Sequence, residues 1–335
     1  MRLAVCMPQV PFERGGTEIF ADGLVQALRE HGHETELVTV PFKWYPGERV
    51  LTQAFLWRLL DLEEANGRPI DAVIATKFPS YVVRHPCKIV WLLHQFRQAW
   101  DLDRTELGQF SESAEDRALR RKVLELDRVS LGEAKKIFTT SSIVAGRLKD
   151  SVGLDAEVLA PPPAPLAFRC DEYGDFILSV NRLDRAKRID LLIEAAAQVP
   201  DVRVVIAGDG PDRERLEGLA NGRVEFVGRV SDEELAALYA RCRAVYYAPV
   251  DEDYGLVPYE AFLSDKPVIT TTDAGGPLDI VHDGETGRVV APRVEELAPA
   301  LTFSEDEART LGRAGHEIAR EVTWARCVER LLEFV

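Results

Sequence analysis

The chain has 335 residues, 46% of them hydrophobic, which exceeds one ordinary core and suits two. A formal net charge of −15 excludes bulk binding to nucleic-acid phosphates and leaves room only for a local basic pocket. Five scattered cysteines without a CxxC pair exclude a disulfide framework or zinc site, so a cytoplasmic, reducing setting is expected.

Taken in chain order, short apolar runs alternate with helical patterns. RLAVCM reads as a strand, too short an apolar run for a signal peptide. TEIFADGLVQALREHG reads as a helix, with Phe20, Leu24, Ala27 and Leu28 on one face and Gly32 stopping it. ETELVTV, DAVIAT, KIVWLL and KKIFTTS read as further strands. LTQAFLWRLLDLEEA is apolar on one face, with core packing its expected use, and residues 97–136 are charge-rich but helical in pattern. No run reaches the roughly 18 apolar residues of a membrane span. Four prolines between Pro161 and Pro165 can join neither a ladder nor a helix interior, and they place a linker there.

Beyond the linker the pattern restarts: strand DFILSVN, helix RIDLLIEAAAQV, strands VRVVIAG and VEFVG, helix SDEELAALYARC, strands AVYYAP and KPVITTT. Ser231 and Glu234 have capping-box spacing. Uniformly apolar strands separated by helices imply parallel sheets covered on both faces. The expected architecture is two tandem Rossmann-like α/β domains facing a cleft. Residues 1–163 form the first, 164–320 the second, and ligands sit on loops at the strands' carboxyl ends.

DEDYGLVPYEA (251–261) follows a strand, and Pro258 is tolerated only in a helix's first turn, which places a helix start near Gly255. The backbone N–H groups of Gly255, Leu256 and Val257 then suit an anion, and Gly255 permits close approach. Glu252 and Glu260, eight positions apart, suit sugar hydroxyls rather than phosphates. An anion site flanked by hydroxyl acceptors describes a nucleotide sugar, although an ordinary helix with an acidic first turn fits the spacing too. In VNRLDRAKRIDLL, Arg182 and Lys187 oppose the dipole of the helix they precede. That points to a diphosphate, with a solvated basic turn as the alternative. Gly15–Gly16 in PFERGGTEIF lacks the dinucleotide fingerprint and fits a tight turn. His94 in WLLHQF lies just past a strand end, where a lone histidine is more often structural than catalytic. Asp251–Glu252–Asp253 is a DxD without supporting ligands, so no metal is expected. AGDGP (207–211) is adequately read as a βα turn.

Together these pieces resemble the GT-B glycosyltransferases of family 4. Glu252 to Glu260 resembles that family's E-x7-E motif. NRLDRAK resembles its G-R-L-x-x-x-K loop with Asn181 in the glycine's place, and FVGRVSDEEL its base-pocket segment. AGGPLDIVHDGETG is similar to its GGxxE loop with Asp279 for Glu, while PFERGGTE and LLHQF match the first-domain glycine loop and cleft histidine. The resemblance implies a retaining, metal-independent transfer from a UDP- or GDP-linked sugar to a hydroxyl of a saccharide, lipid-linked or small-molecule acceptor, with no cofactor. Arg182 and Lys187 would bind the diphosphate, assisted by Tyr254 and the backbone of Gly255, Leu256 and Val257. Glu260 would take the ribose hydroxyls and Glu252 the transferred sugar. Val230 would contact the base through its backbone, Gly16 would line the donor phosphate, and His94 would bond the sugar near the reacting carbon. The resemblance also returns residues 321–335, around Trp324, to the first domain. A lipid-linked acceptor would make the protein peripheral to the inner face of a membrane. Two other readings share the pattern: a non-hydrolysing nucleotide-sugar epimerase, and a non-catalytic nucleotide-sugar-binding subunit.

Overall fold

A strand covered on both faces need not alternate apolar with polar residues, because each face supplies its own core. In the computed structural model, which describes residues 1–12, 15–105, 108–220 and 222–335, β1 (Arg2–Gln9) shows this directly. Leu3 and Val5 join one buried cluster, Ala4 and Cys6 another. The chain divides into two units, Met1–Pro161 with Thr323–Val335, and Pro162–Val322.

In the first unit β1 leads to α1 (Gly16–Glu30), β2 (Glu34–Pro41) and α2 (Arg49–Leu59). A small antiparallel hairpin follows, β3 (Glu64–Ala65) and β4 (Arg68–Pro69). Then come β5 (Ala72–Ala75), β6 (Lys88–Leu92), α3 (Ala114–Gly132), β7 (Lys136–Thr139), α4 (Ser142–Val152) and β8 (Glu157–Val158). The sheet is parallel in the order β2-β1-β5-β6-β7-β8. Helix α2 buries Val50, Ala54 and Trp57, but Phe55, Leu56 and Leu59 face outward. Core packing therefore accounts for only part of its apolar surface.

The second unit repeats the scheme. It runs β9 (Phe176–Val180), α5 (Ile189–Gln198), β10 (Arg203–Ala207), α6 (Arg213–Leu219), β11 (Val224–Gly228), α7 (Asp232–Arg241), β12 (Ala244–Tyr246), α8 (Val257–Leu263), β13 (Val268–Thr271), β14 (Gly287–Val290), α9 (Val294–Ala300) and α10 (Glu305–Ala319). Its parallel sheet has the order β11-β10-β9-β12-β13-β14. Ser231 and Glu234 form a full capping box at the start of α7. Each sheet gains an edge strand absent from the sequence reading: β8 has only two residues, and β14 emerges from a glycine-rich turn.

The last helix, α11 (Trp324–Leu332), packs in the first unit. Thr323 caps it, accepting from the Arg326 N–H. Trp324 occupies the space where a Cβ on Gly23 of α1 would stand, 2.6 Å away. Its ring joins Phe20 and Trp91, and Arg330 pairs with Glu157 at 2.6 and 2.7 Å.

A buried carboxylate sits in the first unit. Asp127 of α3 is fully buried and accepts from the Tyr81 hydroxyl at 2.8 Å and the Trp100 indole at 2.7 Å. Burial pushes its carboxyl up to about 7, against those two hydrogen bonds. An unfolded aspartate titrates near 4, so between roughly pH 4 and 7 the folded state holds the extra proton. Stability from this group is therefore full below pH ~4 and lost as pH rises to ~7, by up to about 1.4 kcal/mol per unit. Asp127→Asn removes that dependence. In denaturant titrations followed by tryptophan fluorescence, the wild type should lose stability relative to the variant between pH 4 and 7. A constant difference across that range would show that Asp127 stays ionised.

Candidate functional site

The residues singled out in the second half of the sequence gather at the carboxyl ends of β9, β11 and β12. Arg182 sits in the loop after β9, exposed, and its side chain has no hydrogen-bond or ion-pair partner among the described residues. The loop itself is fixed. The Asn181 N–H donates to the Ala207 carbonyl at 3.0 Å, Leu183 N–H to Asp209 at 3.0 Å, and Asp212 N–H to Leu183 at 3.0 Å. AGDGP forms the other side of this clasp. A Cβ on Gly208 (φ +129°) would lie 1.8 Å from the Asn181 carbonyl oxygen, and one on Gly210 would lie 2.3 Å from that of Leu183. The turn that the sequence leaves without a task thus holds the Arg182 loop in place.

Lys187 ends a single 3-10 turn, Arg185–Lys187, that Asp184 caps by accepting from the Ala186 N–H at 3.1 Å. Its ammonium pairs with Glu252, lies 3.5 Å from the Tyr247 hydroxyl and sits over the Tyr247 ring. The next residue, Arg188, was not anticipated from sequence. It adopts a left-handed φ of +48° and bonds the carbonyls of Ala248 and Pro249 at 3.0 and 2.7 Å, Thr271 Oγ1 at 3.1 Å, and Asp273 at 2.7 Å. It ties the start of α5 to the ends of β12 and β13. The signal was present, since the argument that a cation at a helix start needs a partner applies to it as well.

Glu252 is held by its backbone. Its N–H donates to Ala274 at 2.9 Å, and its carbonyl accepts from Gly276 at 2.8 Å. The double glycine makes this possible. Gly275 has φ +79°, and a Cβ there would lie 2.5 Å from the Glu252 carbonyl oxygen; one on Gly276 would lie 2.8 Å from Tyr254 Cα. Gly255 has φ +90°, and a Cβ on it would lie 2.7 Å from the buried Tyr247 ring. Tyr247, rather than ligand approach alone, demands glycine there. Tyr254 stacks on Tyr259 at 5.1 Å.

Helix α8 starts at Val257 with Leu256 as its cap, two residues later than expected, because Gly255 is not helical. The N–H groups of Gly255, Leu256 and Val257 have no acceptor among the described residues. Glu260, in the first turn of α8, is half-buried and accepts from the Tyr239 hydroxyl at 2.7 Å. Burial raises its carboxyl above the usual range, opposed by that hydrogen bond. Val230 lies between β11 and α7, and neither its N–H nor its carbonyl has a backbone partner among the described residues.

Gly16 and His94 belong to the first unit. Gly16 opens α1, and a Cβ on it would meet nothing within 4 Å. The preceding Glu13 and Arg14 lie outside the described residues. His94 stands two residues past β6, with Nδ1 2.7 Å from the Gln95 carbonyl. Among the described residues no group of three or more His, Cys, Asp or Glu could hold a metal.

Residues 168–316 match the family glycosyl transferases group 1. A D-inositol 3-phosphate glycosyltransferase of Mycolicibacterium gilvum is 31% identical over 231 residues, covering 62% of this chain and 51% of its own. An uncharacterized glycosyltransferase of Methanocaldococcus jannaschii is 29% identical over 162 residues, 46% of each chain. The matches thus span about half the length of these curated relatives. Among solved structures, a sucrose-phosphate synthase from Thermosynechococcus elongatus superposes with a TM-score of 0.76 at 21% identity, covering 99% of this chain and 97% of its own. The lipopolysaccharide glycosyltransferase WaaG superposes at 0.71 and 16% identity, covering 98% and 99%. The architecture is the GT-B fold.

The glycine clasps give a contrast that can be measured. Gly275→Ala combines a left-handed conformation, costing roughly 1–2 kcal/mol, with an overpacked contact of roughly 1–3 kcal/mol. Gly16→Ala meets open space and should stay within about 0.5 kcal/mol of the parent. Denaturant midpoints of both variants decide. Equal small effects would show that the Glu252 loop moves freely away from Gly275.

Proposed function

We propose that the protein is a retaining, metal-independent glycosyltransferase of family 4. It moves a sugar from a UDP- or GDP-linked donor to a hydroxyl of a saccharide, lipid-linked or small-molecule acceptor. The observation that carries this reading is the pairing of Lys187 with Glu252 in the same unit as Arg182, whose side chain has no partner among the described residues. A carboxylate and two cations on rigid loops suit a diphosphate joined to a polyhydroxylated sugar. The group 1 match covers these residues, and a solved relative from Anabaena, HepE, is described in complex with UDP-glucose.

Cleavage of the sugar–phosphate bond builds negative charge on the leaving diphosphate. Arg182, Lys187 and the N–H groups of Gly255 to Val257 meet that charge from loops already held in place. Glu252 neutralises Lys187 in the free protein; when the diphosphate takes over the ammonium, the carboxylate turns to the sugar hydroxyls. Tyr239 engages one oxygen of Glu260, leaving the other for the ribose hydroxyls. Val230 presents unpaired backbone groups to the base. His94 bonds the transferred sugar, and Gly16 leaves room for the donor phosphate. A donor phosphate oxygen takes the acceptor's proton as the acceptor oxygen attacks from the same face, which retains configuration. No described helix is long and apolar enough to cross a membrane. For a lipid-linked acceptor, the outward Phe55, Leu56 and Leu59 offer apolar contact with a membrane surface. No specific observation favours the epimerase or non-catalytic reading.

Two experiments test the assignment. EDTA should leave turnover of UDP- and GDP-sugars unchanged, since fixed cations already face the diphosphate; restoration by Mn²⁺ after loss in EDTA would turn Asp251 and Asp253 into metal ligands. Lys187→Ala should lower turnover by ~10²–10³-fold and weaken nucleoside diphosphate binding. Glu252→Gln should also lower turnover, yet bind UDP or GDP no more weakly than the parent, because it frees Lys187 from its internal partner. Calorimetry separates the two variants. A Glu252→Gln protein that loses nucleotide affinity as badly as Lys187→Ala would mean that Glu252 holds the nucleotide.

A further inference from the structure

The first unit contains two lysines with opposite fates. Lys88 is buried, and its ammonium donates to the carbonyls of Tyr81, Val83 and Ser130 at 3.0, 3.1 and 2.7 Å and pairs with Glu133 at 3.1 Å. That is the usual condition for burying an ammonium. Lys77 is half-buried, and its ammonium has no hydrogen-bond or ion-pair partner among the described residues. Burial pushes its pKa down, and Glu18 in the first turn of α1 pulls it back.

Lys77 is also held in place. It follows Thr76 at the carboxyl end of β5. The buried Ser80 hydroxyl accepts from the N–H groups of Thr76 and Lys77 at 3.1 and 3.3 Å and donates to the Lys77 carbonyl at 2.8 Å. Thr76 Oγ1 donates to the Cys6 carbonyl of β1 at 3.1 Å. A half-buried ammonium carried on a pinned backbone at the carboxyl edge of a parallel sheet is suited to an oxyanion. In a chain of net charge −15, an anionic ligand needs such a local cation.

We propose that Lys77 is the cationic contact of an acceptor subsite, binding a phosphate or carboxylate group on the molecule that receives the sugar. The assignment to the acceptor rests on the glycosyl-transfer reading, in which the donor diphosphate already has Arg182 and Lys187.

The test uses the full chain with its lysines 13C-methylated, the Lys77 signal being assigned with Lys77→Arg, and inorganic phosphate and UDP as separate probes. Phosphate should move the Lys77 signal, and UDP should move that of Lys187 but not of Lys77. In calorimetry Lys77→Met should weaken phosphate binding about tenfold, the scale of one charge-assisted hydrogen bond, with UDP affinity unchanged. A Lys77 signal indifferent to phosphate would overturn the subsite, as would a UDP response equal to that of Lys187, which would make Lys77 a donor contact. Failure of the glycosyl-transfer reading appears separately, as absent cleavage of every nucleotide sugar, and removes the acceptor assignment even where phosphate binds.

Discussion

The loops at the carboxyl end of the second sheet touch backbone to backbone, and glycine is what permits it. Gly208 and Gly210 lie against Asn181 and Leu183; Gly275 and Gly276 lie against Glu252 and Tyr254. Any Cβ at these four positions would fall within 2.8 Å of a neighbouring backbone atom. Close approach brings main-chain hydrogen bonds with it, so each loop is fixed by peptide groups rather than by mobile side chains. The side chain of Arg182 is thereby positioned without being consumed, and that of Glu252 is engaged only by the Lys187 ammonium. That is the condition an electrostatic site needs, because a charge that must first reorganise loses part of its effect.

The charges themselves divide into two kinds. Arg188 satisfies its guanidinium with two carbonyls, a hydroxyl and a carboxylate, and so acts as a strut between α5 and the ends of β12 and β13. Lys88 does the same in the first unit. Arg182 and Lys77 have no such partners among the described residues, and Lys187 has one that a more highly charged diphosphate can displace. Satisfaction of the donors, not the sign of the charge, separates structural cations from those available to a ligand. Glu260 belongs between the kinds: burial raises its pKa, and Tyr239 meets part of its demand.

The fold class was legible because strand after strand reads apolar on both faces, as in Leu3 to Cys6 or Val73 to Ala75, and only covered parallel sheets ask for that. The edge strands were not legible, since two residues of β8 carry no period and β14 follows a turn-rich segment. Capping chemistry was local and could be read, as with Ser231 and Glu234. The start of α8 was misplaced by two residues because the conformation of Gly255 answers to Tyr247, a neighbour in space. The same limit hid Arg188 and Tyr239, whose partners lie 58 to 85 and 21 positions away. AGDGP looked like a plain turn because the loop it clasps lies a full strand and helix earlier.

Helix α8 illustrates how these constraints combine. At seven residues its own dipole is small, and Pro258 removes one first-turn donor. What makes its start useful is the preceding left-handed Gly255, which turns the chain so that three successive N–H groups remain without acceptors among the described residues. Tyr247 enforces that turn by filling the space of the missing Cβ, and the same tyrosine lies under the Lys187 ammonium. One buried aromatic ring therefore couples the shape of the N–H cradle to the position of the nearest cation. A change at Tyr247 would disturb both at once, although it carries no charge and belongs to none of the sequence motifs.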